Sequence, residues 1–295
     1  MEKPLITIGI PIFNEEKFIK QCLESILSQT YTNFEVIISD NVSTDNTSKI
    51  CEEFAKMDDR IRYVRQKKHL YFWSNFGYLL NQSQSVYFVW HAADDIWENT
   101  FLEKNIFSLE QNKKFVGSIS QIERYGGDVK NFDVMSTDSF FQKKYKKFRS
   151  VFRPFTLYSI CGEYFDKAQK FLNVPTAILM YSVFRTNELK KHFVEKKMAA
   201  IDYALILNIL ESGDLNVLDE ILLKYYTHGR ASKGYIANAR MHMIPYVDAV
   251  FPFYTFLNWV RKKFGIFFFL SNFKLFFRLF LGGVVSNIRE IFSAL

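Results

Sequence analysis

The chain has 295 residues, 48 % of them hydrophobic and 18 % aromatic, which excludes a disordered chain and allows one large core, or a catalytic domain with an appendage. A formal charge of +7 suits an anionic partner such as a nucleotide, a lipid surface or a nucleic acid. The three cysteines, Cys22, Cys51 and Cys161, are far apart and odd in number, so neither a disulfide framework nor a zinc site is indicated.

The opening MEKPLITIGIPIFNEE becomes charged again before any long apolar core, so it does not read as a signal peptide and a cytoplasmic address is expected. Residues 5–12 (LITIGIPI) suit a strand buried on both faces. Asn14, Glu15 and Glu16 then supply helix-start chemistry, and Phe18, Ile19, Cys22, Leu23, Ile26 and Leu27 follow at helical spacing. Phe34 to Ser39 is a second strand, and the turn DNVSTDNT offers Ser43, Thr44 and Asp45 as caps for a helix reaching about Lys56. Ile61 to Val64 is a third strand; Trp73, Phe76, Leu79 and Leu80 line a third helix. Val86 to His91 is a fourth strand, which stops on the adjacent acids Asp94 and Asp95.

This βαβαβαβ order implies a doubly covered, mostly parallel sheet with ligands at the carboxyl ends of the strands. Phe13-Asn14-Glu15, Asp40-Asn41 and Asp94-Asp95 all fall at such ends. Adjacent carboxylates repel, so the last pair calls for a positive charge beside it. Beyond Phe115, SISQIERYGGDVKNFDV reads as strand, Gly126-Gly127 turn and a weaker strand. Ala177 to Phe184 reads as a buried strand, Asp202 to Leu210 as a helix, and Glu220 to Tyr226 as a final strand before Thr227-His228-Gly229.

From Tyr246 onward Phe dominates. FGIFFFLSNFKLFFRLFLGGVV is long enough for a membrane span, but Lys274 and Arg278 lie inside it. On one continuous helix Lys263, Lys274, Arg278 and Arg289 project within a sector of about 80°, with Gly282-Gly283 expected to break the helix. That pattern suits peripheral membrane contact through residues 250–295, with packing on the catalytic domain or a homo-oligomer interface as competing uses.

TIGIPIFNEEKFIKQCLESILSQTYTNFEVIISDNVSTDNT, with VYFVWHAADDIW, IDYALILNILESG and KYYTHGRAS, resembles family 2 glycosyltransferases of the GT-A fold over roughly residues 4–232. The resemblance implies a donor-binding half at 1–117, an acceptor-binding and catalytic half of the same domain at 118–235, and an appended helical, aromatic-rich tail at 236–295. It implies an inverting transfer from a nucleotide-diphosphate sugar, UDP-sugar foremost, to a glycan or lipid-linked acceptor of a surface polysaccharide. A divalent cation, manganese or magnesium, would neutralise the leaving diphosphate. Asp94, Asp95 and His228 would serve that metal, with Asp94 favoured as direct ligand. Pro11, Phe13, Asn14, Glu15, Asp40, Asn41, Asp94 and Arg230 would face the donor, Phe13 stacking on the base and Asp40 accepting its imide N–H. Asp202 would be the general base.

Three positions depart from the family pattern: Ala92 where a further acid often stands, Asn41 in place of a second acid, and Ile201 in place of a Glu. They keep a non-catalytic membrane-associated scaffold in view. A nucleotidyltransferase on a similar sheet is the catalytic alternative, though its Gly-rich N-terminal loop is missing. No P-loop, dinucleotide loop or nucleic-acid module is present.

Overall fold

The computed structural model describes residues 5–126, 156–227, 235–240 and 244–293. Eight strands form one sheet in the order β3-β2-β1-β4-β7-β6-β8-β5. Its first four members, β1 (Ile6–Ile12), β2 (Phe34–Asp40), β3 (Ile61–Arg65) and β4 (Tyr87–Trp90), run parallel. Helices α1 (Ile19–Leu27), α2 (Thr47–Met57) and α3 (Phe72–Gln82) make the crossovers.

The apolar runs form central strands because the crossover helices cover both faces. Ile6, Ile8, Ile10 and Ile12 of β1 are all buried. Gly9 permits a close approach of β1 to its neighbour, since a Cβ there would meet Phe88 Cζ at 2.7 Å. In register, Ile12 lies opposite Asp40 and Gly9 opposite Trp90, so the turns leaving β1, β2 and β4 emerge along one edge. Trp73 of α3 stacks between Phe76 and Phe193, at ring-centroid distances of 5.5 and 5.1 Å.

The second half of the sheet is mixed. Strands β5 (Ile96–Trp97), β6 (Phe115–Tyr125), β7 (Val183–Arg185) and β8 (Asp214–Tyr226) follow, with α4 (Phe101–Gln111), α5 (Tyr164–Asn173), α6 (Thr186–His192) and α7 (Ile201–Ile209). β7 is antiparallel to both β4 and β6, while β6 and β8 are parallel with register shifts near Gln121. The strand expected over Ala177 to Phe184 is instead a 3₁₀ helix, Ala177–Tyr181, leading into the short β7. Thr176 Oγ1 accepts from Ile178 N–H (3.3 Å) and so starts the turn, which a run of apolar residues does not reveal. The weaker strand expected after Gly126 lies outside the described residues.

The tail comprises α8 (Tyr235–Arg240), α9 (Tyr246–Val250), α10 (Tyr254–Ser271) and α11 (Phe273–Ser293). It packs on the sheet domain: Phe256, Val260 and Phe276 are buried, and Phe256 meets Tyr203 of α7 edge to face at 6.0 Å. The continuous helix expected from the sequence does not form. Gly265 takes φ 84°, and α10 and α11 meet at a bend of 106°. Gly282 and Gly283 lie within α11 and do not break it. The bends scatter the basic sector: Lys263 turns to the domain, where it pairs with Glu211 at 3.1 Å, whereas Lys274 is exposed. Among the described residues no single helix is long and apolar enough to cross a membrane, although the bent pair α10 and α11 passes by length and composition.

Candidate active site

At the ends of β1 and β2 two turns are tied together by polar side chains. Asn14 sits at φ 54° and Val42 at φ 67°, both in the left-handed region, and a β-branched residue enters it only when its surroundings dictate. Thr44 N–H donates to Asn14 Oδ1 (2.7 Å), Asn14 N–H to Ser43 Oγ (2.9 Å) and Glu15 N–H to Thr47 Oγ1 (2.7 Å). Asp45 Oδ1 accepts from Thr47 N–H (3.1 Å) at the start of α2.

Asp40 is buried and its oxygens are fully engaged. Ser43 donates to Oδ1 through both N–H and O–H (2.7 and 2.6 Å), while Tyr63 O–H and Arg65 donate to Oδ2 (2.6 and 3.1 Å). Asp40 thus anchors the turn at the end of β2. Asn41 holds the same turn: its amide oxygen accepts Leu70 N–H (2.6 Å) and its Nδ2 donates to Leu70 O (2.9 Å). Asn14 serves the loop-to-loop tie described above. Phe13 keeps a half-buried ring, edge to face with His69 at 4.8 Å, and His69 Nδ1 donates to Asn41 O (3.0 Å). Pro11 lies within β1, opposite Ser39.

The acid pair occupies the turn between β4 and β5. Alternation through Ala93, Asp94 and Asp95 leaves Asp94 half-buried and Asp95 only 2 % exposed. Asp95 Oδ1 accepts Tyr226 N–H (2.9 Å), so this acid ties the turn to the end of β8 and does not cap α4. Burial, then the neighbouring charge of Asp94, pushes the Asp95 carboxyl well above the usual carboxylate range, against the Tyr226 N–H. Tyr125 O–H donates to Asp94 O, and the Tyr125 and Tyr226 rings lie 5.2 Å apart.

The Cys22 thiol is pushed up by burial and by the charges of Asp95, Asp94, Cys51 and Glu15. His91 is buried; its Nδ1 donates to Ala92 O (2.6 Å), and burial lowers its pKa to about 4, so it stays neutral.

Asp202 stands in the first turn of α7, half-buried, where burial raises its carboxyl to about 6 against the backbone N–H groups of Tyr203 and Asp202 itself. The Tyr181 phenol is pushed well up by burial and by the charges of Asp95, Tyr225, Asp94 and Asp202. Tyr125, Tyr181 and Tyr226 were not singled out from the sequence. Tyr125 and Tyr226 could have been flagged as aromatic ends of strands, whereas Tyr181 was hidden by the strand reading of its segment. His228 and Arg230 lie outside the described residues. Among the described residues no three His, Cys, Asp or Glu side chains converge as a metal cluster. The acid pair still fits a hard cation: both side chains offer carboxylate oxygens, and the buried Asp95 carboxyl is pushed up by burial and by the like charge of Asp94.

A mostly parallel sheet with polar turns and an acid pair at its carboxyl edge defines the GT-A class of glycosyltransferase folds. Within that class the chain belongs to Glycosyl transferase family 2, whose family model matches residues 7–193. An uncharacterized glycosyltransferase of Haemophilus influenzae is 29 % identical over 77 % of this chain and 66 % of that protein. A Bacillus subtilis glycosyltransferase provisionally named for teichuronic acid biosynthesis is 31 % identical over 38 % of this chain and 45 % of its own length. The chain thus spans less than two thirds of each of these relatives. S. aureus TarS 1–349, solved in complex with UDP-GlcNAc, superposes with a TM-score of 0.56 over 76 % of this chain and 59 % of that one, at 16 % identity, a likeness of fold.

Proposed function

We propose that the protein is an inverting glycosyltransferase that moves a sugar from a UDP-sugar to a glycan or lipid-linked acceptor in surface-polysaccharide synthesis. The observation that carries this reading is the pair Asp94 and Asp95 at the carboxyl end of β4, with Asp95 buried and its carboxyl pushed up by burial and by the neighbouring Asp94. Asp94 and Asp95 Oδ2 would hold manganese or magnesium together, with His228 as a further ligand. When bound, the cation neutralises charge on the departing diphosphate as a Lewis acid. Phe13 and His69 offer an aromatic corner for the base, while Asp40 and Asn41 keep its turn in shape. Arg230 would meet the diphosphate.

Asp202 takes the proton. The acceptor hydroxyl oxygen bonds to the anomeric carbon, the bond from that carbon to the diphosphate oxygen breaks, and its electron pair leaves with the nucleoside diphosphate. The acceptor's proton passes to Asp202, whose carboxyl, raised to about 6, is ionised at neutral pH yet a better base than an ordinary carboxylate. The nucleotide held by TarS and the naming of the Bacillus relative support the donor and acceptor classes.

Thermal stabilisation by UDP, GDP, dTDP and CDP, each with and without manganese, tests the donor site. Manganese-dependent stabilisation by UDP above the others is expected, and no response to any of them would overturn the assignment.

The tail supports work at the cytoplasmic face of the inner membrane. Phe267 is 86 % exposed, and Leu270, Phe273 and Phe277 are exposed beside Lys274, with Arg261 and Lys262 nearby. Apolar side chains flanked by cations fit an anionic bilayer surface. Co-sedimentation with phosphatidylglycerol vesicles, weakened by Phe267→Ser, is expected. Full-length protein that ignores such vesicles, or that buries the same face by self-association, would overturn this placement.

A further inference from the structure

Asp202 follows a segment whose shape the local sequence does not explain. Met198 and Ala199 are buried, and Ala200, the residue before α7, adopts φ 50°, ψ 42°. Alanine in the left-handed region costs about 1–2 kcal/mol, so neighbouring contacts must hold it there.

Those contacts come from the tail. Ala199 N–H donates to Thr255 Oγ1 (3.1 Å). Thr255 in turn donates to both oxygens of Asp248, N–H to Oδ1 (2.9 Å) and Oγ1–H to Oδ2 (2.5 Å). Asp248 is 0 % exposed, and no described cation pairs with it. A buried carboxylate satisfied only by N–H and O–H groups is expensive to keep, which argues that its geometry matters. Phe256, next to Thr255, packs against Tyr203, the residue after Asp202.

We propose that Asp248 and Thr255 are positioning residues for the reaction at Asp202: the tail fixes the Ala199-Ala200 turn and thereby aims the carboxylate of the next helix. The inference rests on the reading of Asp202 as the base. Turnover then depends on how the C-terminal helices dock, so the part of the chain that faces outward with apolar side chains also finishes the catalytic site. Tyr71 and Tyr181 both feel the charge of Asp202, and Tyr71 that of Asp248 as well, with Lys197 over the Tyr71 ring at 5.2 Å. Burial, opposed by the Thr255 and Ala199 donors, also raises the Asp248 carboxyl.

The test is manganese-dependent hydrolysis of UDP-glucose, UDP-galactose or UDP-N-acetylglucosamine, whichever the wild type turns over fastest, in Asp248→Asn, Thr255→Val, Thr255→Ser and Asp202→Asn. Asp248→Asn and Thr255→Val should lower kcat about tenfold or more, since small misplacements of a reacting group are costly, with KM for donor within about twofold. The acid limb of the kcat profile should move from near 6 towards the ordinary carboxylate range as the looser turn lets water reach Asp202. Thr255→Ser, which keeps the hydroxyl, should restore both. A lowered melting temperature with kcat and the limb unmoved would overturn the proposal, as would a change confined to KM. If Asp202→Asn keeps full turnover, or the wild type hydrolyses none of the three, the base reading falls and this proposal with it; if Asp202→Asn is dead while the tail variants are normal, only this proposal falls.

Discussion

The turns that close the donor edge and the helices of the tail are built on opposite plans. Residues 13–16 and 40–47 are pinned by short polar contacts that engage both oxygens of Asp40 and both ends of the Asn41 amide, with Asn14 and Val42 in left-handed conformations. The tail is held by apolar packing at Phe256, Val260 and Phe276, with isolated polar ties at Asp248, Lys263 and Asn272, and leaves much of its apolar surface outward. A polar lock fixes geometry residue by residue, so few sequences satisfy it. Apolar packing specifies that a helix docks, while its bends and rotation depend on the surface it meets.

The largest effect should separate the chemistry from both plans. Asp202→Asn is expected to lower turnover by about 10²–10⁴-fold while UDP and manganese still stabilise the protein. Its wild-type pH profile should rise through about 6 and then level off, because only the ionised carboxylate accepts a proton. Stability takes the opposite sign. A carboxyl raised above its unfolded value of roughly 3.9 stabilises the fold when protonated, so this contribution is lost as pH climbs from about 4 to about 6. A rate profile flat across this range would remove Asp202 from the base role.

Next comes the tail. Phe256→Ala should cost about 3–5 kcal/mol, read from urea melts, because it empties a fully buried ring site between the tail and α7. If the tail were a loosely attached appendage, the main unfolding transition would stay where it is.

A smaller effect sharpens the account of the acid pair. In metal-free protein Asp95→Asn should raise the melting temperature, because burial and the Asp94 charge both work against an ionised Asp95 carboxylate. The same variant should lose the extra stabilisation that manganese with UDP gives the wild type. A melting temperature that falls in the metal-free state would mean that an internal cation already neutralises the pair.

How much of this could be read from the sequence follows the same division. The four parallel strands, their crossover helices and the acids at their ends were legible because buried parallel strands and helix starts carry local signals. The turn contacts of Asp40 and Asn41 were not, since their partners Tyr63, Arg65 and Leu70 lie too far along the chain for any short motif to report. Tyr181 was misplaced because within AILMYSVF the polar Ser182 follows the 3₁₀ turn and does not interrupt the apolar run before it. In the tail, composition announced apolar helices, but the break at Gly265 and the bend near Asn272 are set by packing. The partnership of Asp248 with Ala199 joins segments too distant in sequence for any short motif to report.

The smallest effect tests the polar lock itself. Val42 at φ 67° lies between the clamped Asn41 and Ser43, whose N–H and O–H hold Asp40. Relief of a left-handed L-residue yields about 1–2 kcal/mol. Glycine gives back about 0.5–1 kcal/mol through its unfolded-state entropy. Val42→Gly should therefore stabilise the protein by about 0.5–1 kcal/mol and leave UDP-dependent stabilisation unchanged, because the neighbouring hydrogen bonds already dictate the turn. A destabilised variant would show that the valine side chain holds the turn by packing, the plan used in the tail. An unchanged melting temperature with weakened response to UDP would place the valine's shape, and not the lock, in contact with the donor.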